Sequence, residues 1–477
     1  MIFARAEFPQ RAKIIVEHLH DEQSAGRRED EPEDLQPLAQ QMPVEGVQGR
    51  EQSAGPGRRK AESGKFSRPG NKPPPVRTEI NRLVENLLTL PLAPRLLSPA
   101  DPMRFSLRTV LPVLVAALLA ARSHAQDTIK IGEFASMTGK EATFGQFADK
   151  GTRQAIEEVN AAGGVLGRKI ELLLEDNQSK PGESATIVKK FISRDKVVAV
   201  LGEIVSSRTL EAAPICQNAR IPLVSPGATA PEVTMKGDYI FRACFIDPFV
   251  GTITAKFARD TLKVRRAAIL SSVSSAQSVG LAKFFRERFT AEGGTIVAEQ
   301  KFSEGDKDFR AQLTAIKATG AEGIFIPAYY TEAALICKQA RDLGLTVPLL
   351  GTDGWESADF LAIGGAAVEG CYLVTHYSPE NQSPLVAAFN ARFQQRWGVP
   401  SNALSALGYD SAMMLIDALK RAGTTDGPKL RDALATTKNF AGVAGTITLD
   451  ANRNPTKSAV VLTVKHGRFA FLQDVSP

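Results

Sequence analysis

The chain has 477 residues and a formal net charge of +6, and 43% of its residues are apolar, which is enough for large buried cores. From Gln126 onward, about 40 basic residues stand against about 37 acidic ones, so the sequence lacks the basic excess of a nucleic-acid-binding surface. The five histidines form no HExxH motif and the four cysteines form no CxxC pair, which excludes the common zinc and dithiol sites, and we expect no cofactor.

Residues 1–102 do not resemble a folded domain. They are rich in Arg, Glu, Gln, Pro and Gly, and such a segment cannot bury enough apolar surface to offset its chain entropy. We therefore expect either a disordered extension or a reading frame that begins upstream of the true start.

The segment 103–125 has the pattern of an export signal. Two arginines precede an apolar run from Val110 to Ala121, and Ser123-His124-Ala125 has the small-x-small form of a cleavage site. The run is shorter than the roughly 20 residues that span a bilayer, although a buried helix or a membrane anchor are the alternatives. We predict translation from Met103 and cleavage after Ala125. No Cys follows, so a lipid anchor is not expected.

Strand and helix patterns alternate from Gln126. The apolar runs Val197–Leu201 and Ile221–Val224 are typical of strands buried on both faces, and each ends in a loop of small residues. Ser206 and Ser207 stand where the next helix begins, in the place of an N-cap. Open α/β sheets bind ligands beyond the carboxyl ends of their strands, and a helix N-terminus there favours an anion such as a carboxylate.

The alternation restarts near Asp247 and continues to Thr375. Helical segments follow at 384–397, 403–422 and 429–437, and two strands are predicted at 445–449 and 459–464. The predicted fold class is α/β, with two doubly wound, three-layer αβα lobes. A cleft between two such lobes is a favoured small-molecule site.

Several spaced motifs now point to a family: GxxxSxxT from Gly202, PGATAPE, YIFRACFIDPF, GTDGW and ALGYD. From Thr128 to the C-terminus the chain resembles the Leu/Ile/Val-binding-like substrate-binding proteins of branched-chain amino-acid ABC transporters, which have the type I periplasmic binding fold. The resemblance implies a three-strand hinge and discontinuous lobes. The N-lobe would comprise 126–247 plus 376–440, and the C-lobe 248–375 plus 441–477.

The resemblance also implies ligand contacts in the N-lobe. Ser206, with Ser207 beside it, matches the serine that binds the ligand α-carboxylate. Gly227 falls where a backbone carbonyl receives the ammonium group, with the candidate Ala228 directly after it, and Thr229 matches a threonine that contacts both the carboxylate and the ammonium group.

Further contacts carry over from both sides of the cleft. Phe144 falls on an N-lobe aromatic position and Tyr329 on a C-lobe tyrosine. Asp353 falls where an acidic residue pairs with the ammonium group, although an Asp before Gly is also a common turn residue. Gln277 stands where a tyrosine is usual, which leaves the selectivity for aliphatic ligands open.

The function implied is that of an exported, monomeric periplasmic protein that closes on a small amino acid and delivers it to the permease subunits of an ABC importer. An amide or short-chain-acid sensor of the same fold is an alternative. An enzyme is a weaker one, because the sequence has no GxSxG motif, no P-loop and no GxGxxG motif after the first strand.

The sequence leaves two interpretations open for Arg208 and two for the cysteines. Arg208 is either a solvated side chain in the first turn of its helix or a contact for an acidic ligand. The cysteines are expected to be buried packing residues, while Cys337 and Cys371 would be able to pair in an oxidising compartment.

Overall fold

The computed structural model describes residues 128–475. The predictions for 1–102 and for the signal peptide at 103–125 therefore lie outside the described residues. The first sheet has five parallel strands in the order β2-β1-β3-β4-β5, as expected for a doubly wound unit. Its strands are β1 (Ile129–Ala135), β2 (Ile170–Asp176), β3 (Ala199–Leu201), β4 (Leu223–Ser225) and β5 (Ile240–Arg242).

Three helices connect these strands, and each buries an apolar stripe. In the first of them, Phe144, Ala148, Ala155 and Val159 recur at helical spacing and are buried. The helices are α1 (Ala142–Ala161), α2 (Glu183–Lys190) and α3 (Ser206–Ala219).

The second sheet has seven strands in the order β15-β14-β10-β9-β8-β6-β7. The last five strands in this order are parallel to one another. The first two form a C-terminal hairpin, whose inner strand pairs antiparallel with the parallel set. The strands are β6 (Arg266–Ser272), β7 (Thr295–Phe302), β8 (Gly323–Phe325), β9 (Leu349–Thr352), β10 (Tyr372–Thr375), β14 (Ala459–Lys465) and β15 (Arg468–Val475). The helices of this unit are α4 (Asp247–Lys256), α5 (Ala276–Ala291), α6 (Arg310–Ala318), α7 (Tyr330–Asp342) and α8 (Ala358–Gly364).

After β10 the chain returns to the first unit through α9 (Pro384–Trp397), α10 (Ala403–Ala422) and α11 (Gly427–Ala435). Helix α10 packs against α1 at backbone contact: a Cβ added at Gly151 would lie 1.9 Å from the Ser405 carbonyl oxygen. One added at Gly408 would lie 2.2 Å from the Ala148 carbonyl oxygen. Only glycine fits these positions. The resulting architecture is the two-lobed α/β fold that the sequence predicts.

A small antiparallel sheet lies between α11 and β14. It consists of β11 (Phe440–Gly442), β12 (Gly445–Leu449) and β13 (Pro455–Thr456). Its contacts are with the first unit: the Thr234 hydroxyl donates to Asn454 at 3.0 Å, and Arg453 donates to the Ile240 carbonyl at 3.1 Å. We therefore propose that the last crossing between lobes lies near Lys457 rather than at residue 441.

Candidate functional site

Two loops at the carboxyl edge of the first sheet form one wall of the site. Val205 is the N-cap of α3, and Ser206 is its first helical residue, so the expectation of a serine N-cap is wrong. The Ser206 hydroxyl instead accepts a hydrogen bond from the Ala230 amide at 3.2 Å and joins the two loops. Gly227, Ala228 and Thr229 belong to the second of these loops and are buried. This wall of the site therefore consists of backbone and hydroxyl groups rather than large side chains.

Residues of the two lobes meet in front of this wall. Phe144 contacts the rings of Tyr329 and Tyr330 edge to face, with centroids 5.5 and 4.9 Å apart. The Ser207 hydroxyl accepts a hydrogen bond from the Ala276 amide at 3.3 Å. These contacts cross the predicted cleft, so the structure shows the lobes in a closed arrangement.

Asp353 faces this junction from the second lobe. It follows β9, opens a short 3-10 turn (Asp353–Trp355), and is 7% exposed. Its Oδ1 accepts from the Gln277 amide at 3.3 Å, and its Oδ2 lies 3.5 Å from Nε2 of His376. Burial lowers the pKa of His376 to about 4, so the imidazole is neutral near pH 7. Within residues 128–475, the carboxylate therefore has only neutral side chains as its close polar partners.

Tyr329 and Gln277 converge on the turn that carries Asp353. A Cβ added at Gly354 would lie 3.2 Å from Cδ1 of Tyr329 and 3.6 Å from Oε1 of Gln277. The hydroxyls of Tyr329 and Thr229 are buried without a hydrogen-bond partner of normal geometry in the described part of the chain. A buried polar group without a partner costs about 1–3 kcal/mol, so a polar ligand that supplied partners here would be stabilised.

Gln277→Tyr is expected to improve the binding of leucine relative to polar amino acids. The change restores an aromatic face and removes the amide that occupies Asp353 Oδ1. Calorimetric titration with leucine and threonine measures the ratio. Gln277→Met, which keeps the length but not the amide, is the control. An unchanged ligand profile in both variants would mean that this position does not contact the ligand.

Three further residues at the site were not predicted from the sequence. Arg242 is buried and donates to the carbonyl oxygens of Ala228 at 2.6 Å and Ala230 at 2.9 Å. The backbone of Asp247 donates to the Thr229 carbonyl at 3.0 Å, and its carboxyl group is buried. His376 is the third. The only sequence signal was the motif YIFRACFIDPF, which contains Arg242 and Asp247 but does not reveal their contacts.

The structure also bears on Arg208 and on the cysteines. Arg208 is 4% exposed and donates to the Ser179 carbonyl at 2.9 Å, so a solvated side chain is wrong. It is held at a loop of its own lobe. All four cysteines are buried free thiols, as the packing interpretation of Cys216 and Cys244 expects, and the thiols of Cys337 and Cys371 contact each other. In the range 128–475, no group of His, Cys, Asp and Glu has the arrangement of a metal site.

Glu356 connects the lobes beside Asp353. Its Oε1 accepts from the Ala403 amide at the start of α10 at 2.8 Å, and its Oε2 accepts from the Thr375 hydroxyl at 2.5 Å. Burial raises the pKa of Glu356 to about 7. The carboxyl group is therefore half-protonated near neutral pH, in a position where the two lobes touch.

Glu356→Gln should change how stability depends on pH. Because its pKa is raised from an unfolded value near 4.5, the folded protein binds the extra proton, and that stabilisation is lost as the pH rises through 7. The wild type should lose about 3 kcal/mol from this group between pH 4.5 and 8, and the variant should not. Denaturant unfolding at both pH values gives the difference. Equal pH slopes for the two proteins would contradict the assignment.

Comparison with known proteins places the chain. Residues 128–468 match the periplasmic binding protein family. The chain is 30% identical to the Leu/Ile/Val-binding protein BraC3 of Rhizobium johnstonii over 347 residues, which cover 72% of this chain and 93% of that protein.

Solved structures agree. A leucine-binding protein from Thermotoga maritima superposes with a TM-score of 0.71 at 39% identity, covering 73% of this chain and 99% of that one. A branched-chain amino-acid transporter substrate-binding protein from Streptococcus pneumoniae, in complex with isoleucine, gives 0.70 at 34% identity, covering 74% and 100%. A solute-binding protein from Rhodopseudomonas palustris BisB5 in complex with 3,4-dihydroxybenzoic acid gives 0.66 at 26%, covering 73% and 97%. The chain therefore belongs to the periplasmic binding protein family, among the substrate-binding proteins of branched-chain amino-acid ABC transporters.

Proposed function

We propose that this protein captures a small amino acid between its lobes in the periplasm and delivers it to the permease subunits of an ABC importer. One observation carries the proposal. The carboxylate of Asp353 is buried at the junction of the lobes and has no cationic partner in the described chain. A buried carboxylate of this kind is costly unless a positive charge is supplied, and the ammonium group of an amino acid supplies it.

The opposite wall suits the other end of a zwitterion. Ser206 and Ser207 open α3, where the first amides of a helix have no intrahelical acceptor and the helix carries a partial positive charge, and the hydroxyls of Ser206 and Thr229 lie at the same wall. A carboxylate bound there and an ammonium group at Asp353 would place the ligand across both lobes. Each charge-assisted hydrogen bond contributes about 1.5–3 kcal/mol, and this energy favours the closed state over the open one.

The nearest competing function is capture of an aromatic acid, as in the dihydroxybenzoate-bound relative. Such a ligand carries a carboxylate but no ammonium group. It would leave Asp353 without a counter-charge and would add a second negative charge to the same cleft. The amino acid is therefore the better match to this site. An acid or amide sensor of the same fold meets the same objection wherever its ligand lacks a cation.

A ligand panel tests the proposal. Thermal-shift screening would cover the standard amino acids, their deaminated acids and hydroxybenzoates, followed by calorimetry on each hit. We expect amino acids alone to bind in the micromolar range, and small-angle scattering to show compaction when the ligand-free protein is saturated. Binding of benzoates with no response to any amino acid would overturn the assignment.

Export is part of the proposal. The family is periplasmic, and residues 103–125 have the pattern of a cleaved signal peptide. None of the helices described in 128–475 is long and apolar enough to cross a membrane. The intact mass of the native protein should correspond to a chain that begins at Gln126, and size-exclusion chromatography should show a monomer. A mature protein that retains residues 1–102 would contradict it.

A further inference from the structure

The side chain of His376 lies where the segments that connect the lobes meet. It follows the last residue of β10 and is 3% exposed. Its ring stacks on Phe245, with centroids 3.5 Å apart and planes 20° from parallel. Phe245 belongs to the segment that leads from β5 to α4, from the first sheet to the second unit. The imidazole is thus held by a connection other than its own.

The polar edge of the ring faces the candidate ammonium site. Nε2 is 3.5 Å from Oδ2 of Asp353, a few tenths of an ångström beyond the usual length of a hydrogen bond. Neither ring nitrogen has a hydrogen-bond partner of normal geometry within residues 128–475. Packing alone does not require the ring nitrogens of His376, because a phenyl ring would stack on Phe245 equally well. A role toward Asp353 explains the choice of histidine.

We propose that His376 is a positioning residue of the ligand site, which donates Nε2–H to Asp353 and directs that carboxylate toward the ligand ammonium group. The inference rests on the proposed function. His376 and Asp353 follow the paired strands β10 and β9 of the second sheet, so their relative position is set within one lobe.

The charge of the ring matters as well as its position. A neutral imidazole orients Asp353 and leaves its negative charge for the ligand, whereas an imidazolium would neutralise that charge and compete with the ammonium group. Amino-acid affinity should therefore fall as the solution becomes acidic. Five other titratable groups lie on the elements around the ring, and all of them are buried: Cys244, Asp247, Asp353, Glu356 and Lys457.

Two variants and two ligands test the proposal. His376→Phe keeps the stack and removes the donor, while His376→Gln keeps a donor near the position of Nε2. Calorimetry at pH 7.5 would use leucine and 4-methylpentanoate, its deaminated analogue. We expect the Phe variant to lose about 10- to 100-fold in affinity for leucine and less than about threefold for the analogue. The Gln variant should stay within about threefold of the wild type for both.

The pH profile gives a readout that a purely structural role would not change. Between pH 7.5 and 3.5, a range that crosses the His376 pKa of about 4, the wild-type affinity for leucine should fall more steeply than that of the Gln variant. If the Phe variant does not fold, the comparison of the wild type with the Gln variant still tests the role of His376. Equal leucine affinities in all three proteins, or superimposable pH profiles, would overturn the role of His376. Wild type that binds no amino acid at all would instead refute the proposed function.

Discussion

Asp353→Asn is expected to weaken amino-acid binding by about 2–4 kcal/mol, or roughly 30- to 1,000-fold, with folding nearly unchanged. The reason is that the ligand ammonium group would be buried without a counter-charge. Neither the Gln277 amide nor the neutral His376 ring replaces that charge. Calorimetric titration of both proteins with the same amino acid gives the difference, and thermal unfolding confirms that the variant is folded.

The deaminated acid separates this role from a turn residue. Asp353 also opens a 3-10 turn, in which its carbonyl accepts from the Glu356 amide at 3.0 Å, and Asn serves such turns equally well. A turn residue would therefore give a mild effect for every ligand, whereas the ammonium partner should affect amino acids only. Asp359→Asn is the matched control, since that exposed carboxylate contacts the first lobe through Thr143. If Asp353→Asn binds the amino acid as tightly as wild type, the amino-acid assignment loses its main support.

The fold was largely predictable because its strands and helices have strong, regular patterns. The helices Pro384–Trp397 and Ala403–Ala422 and the strand Gly445–Leu449 begin and end at the predicted residues. The edge strand β15 was missed. Its residues are mostly exposed or half-buried and its pairing with β14 contains a bulge, so it lacks the continuous apolar run of a central strand.

The site was predictable in part, and for a different reason. Ser206 and Thr229 follow strands of the first sheet and Asp353 follows a strand of the second, so the predicted fold places them at the carboxyl edges of the two sheets, and the structure buries them there. Their role in ligand binding stays a prediction. The roles of Arg242 and His376 depend on contacts with residues distant in sequence and on complete burial. Neither property has a periodic signature, which is why the side chains that support the site could not be read from the chain.

Arg242→Met should have the largest effect on stability, about 3–5 kcal/mol. The guanidinium donates to the carbonyls of Ala228 and Ala230, and a further contact at 3.3 Å reaches the Thr234 hydroxyl. Burial lowers the pKa of Arg242, but the guanidinium keeps its charge, because carbonyl oxygens and nearby acidic groups such as Asp247 surround it. Methionine fills the volume and leaves these carbonyls without a donor.

The same change should also impair ligand binding, because the loop that Arg242 holds contains both Gly227 and Thr229. Two controls distinguish loop geometry from general destabilisation. Arg242→Lys keeps the charge but not the planar fork, and should fall between wild type and Arg242→Met in both properties. Arg453→Met removes a half-buried arginine that donates to the Ile240 and Thr234 carbonyls from the opposite side. It should lower the unfolding free energy by about 1–2 kcal/mol and leave amino-acid affinity within about threefold. If Arg242→Met and Arg453→Met lose stability and affinity to the same extent, then Arg242 supports the fold in general and does not set the shape of the ligand-binding loop.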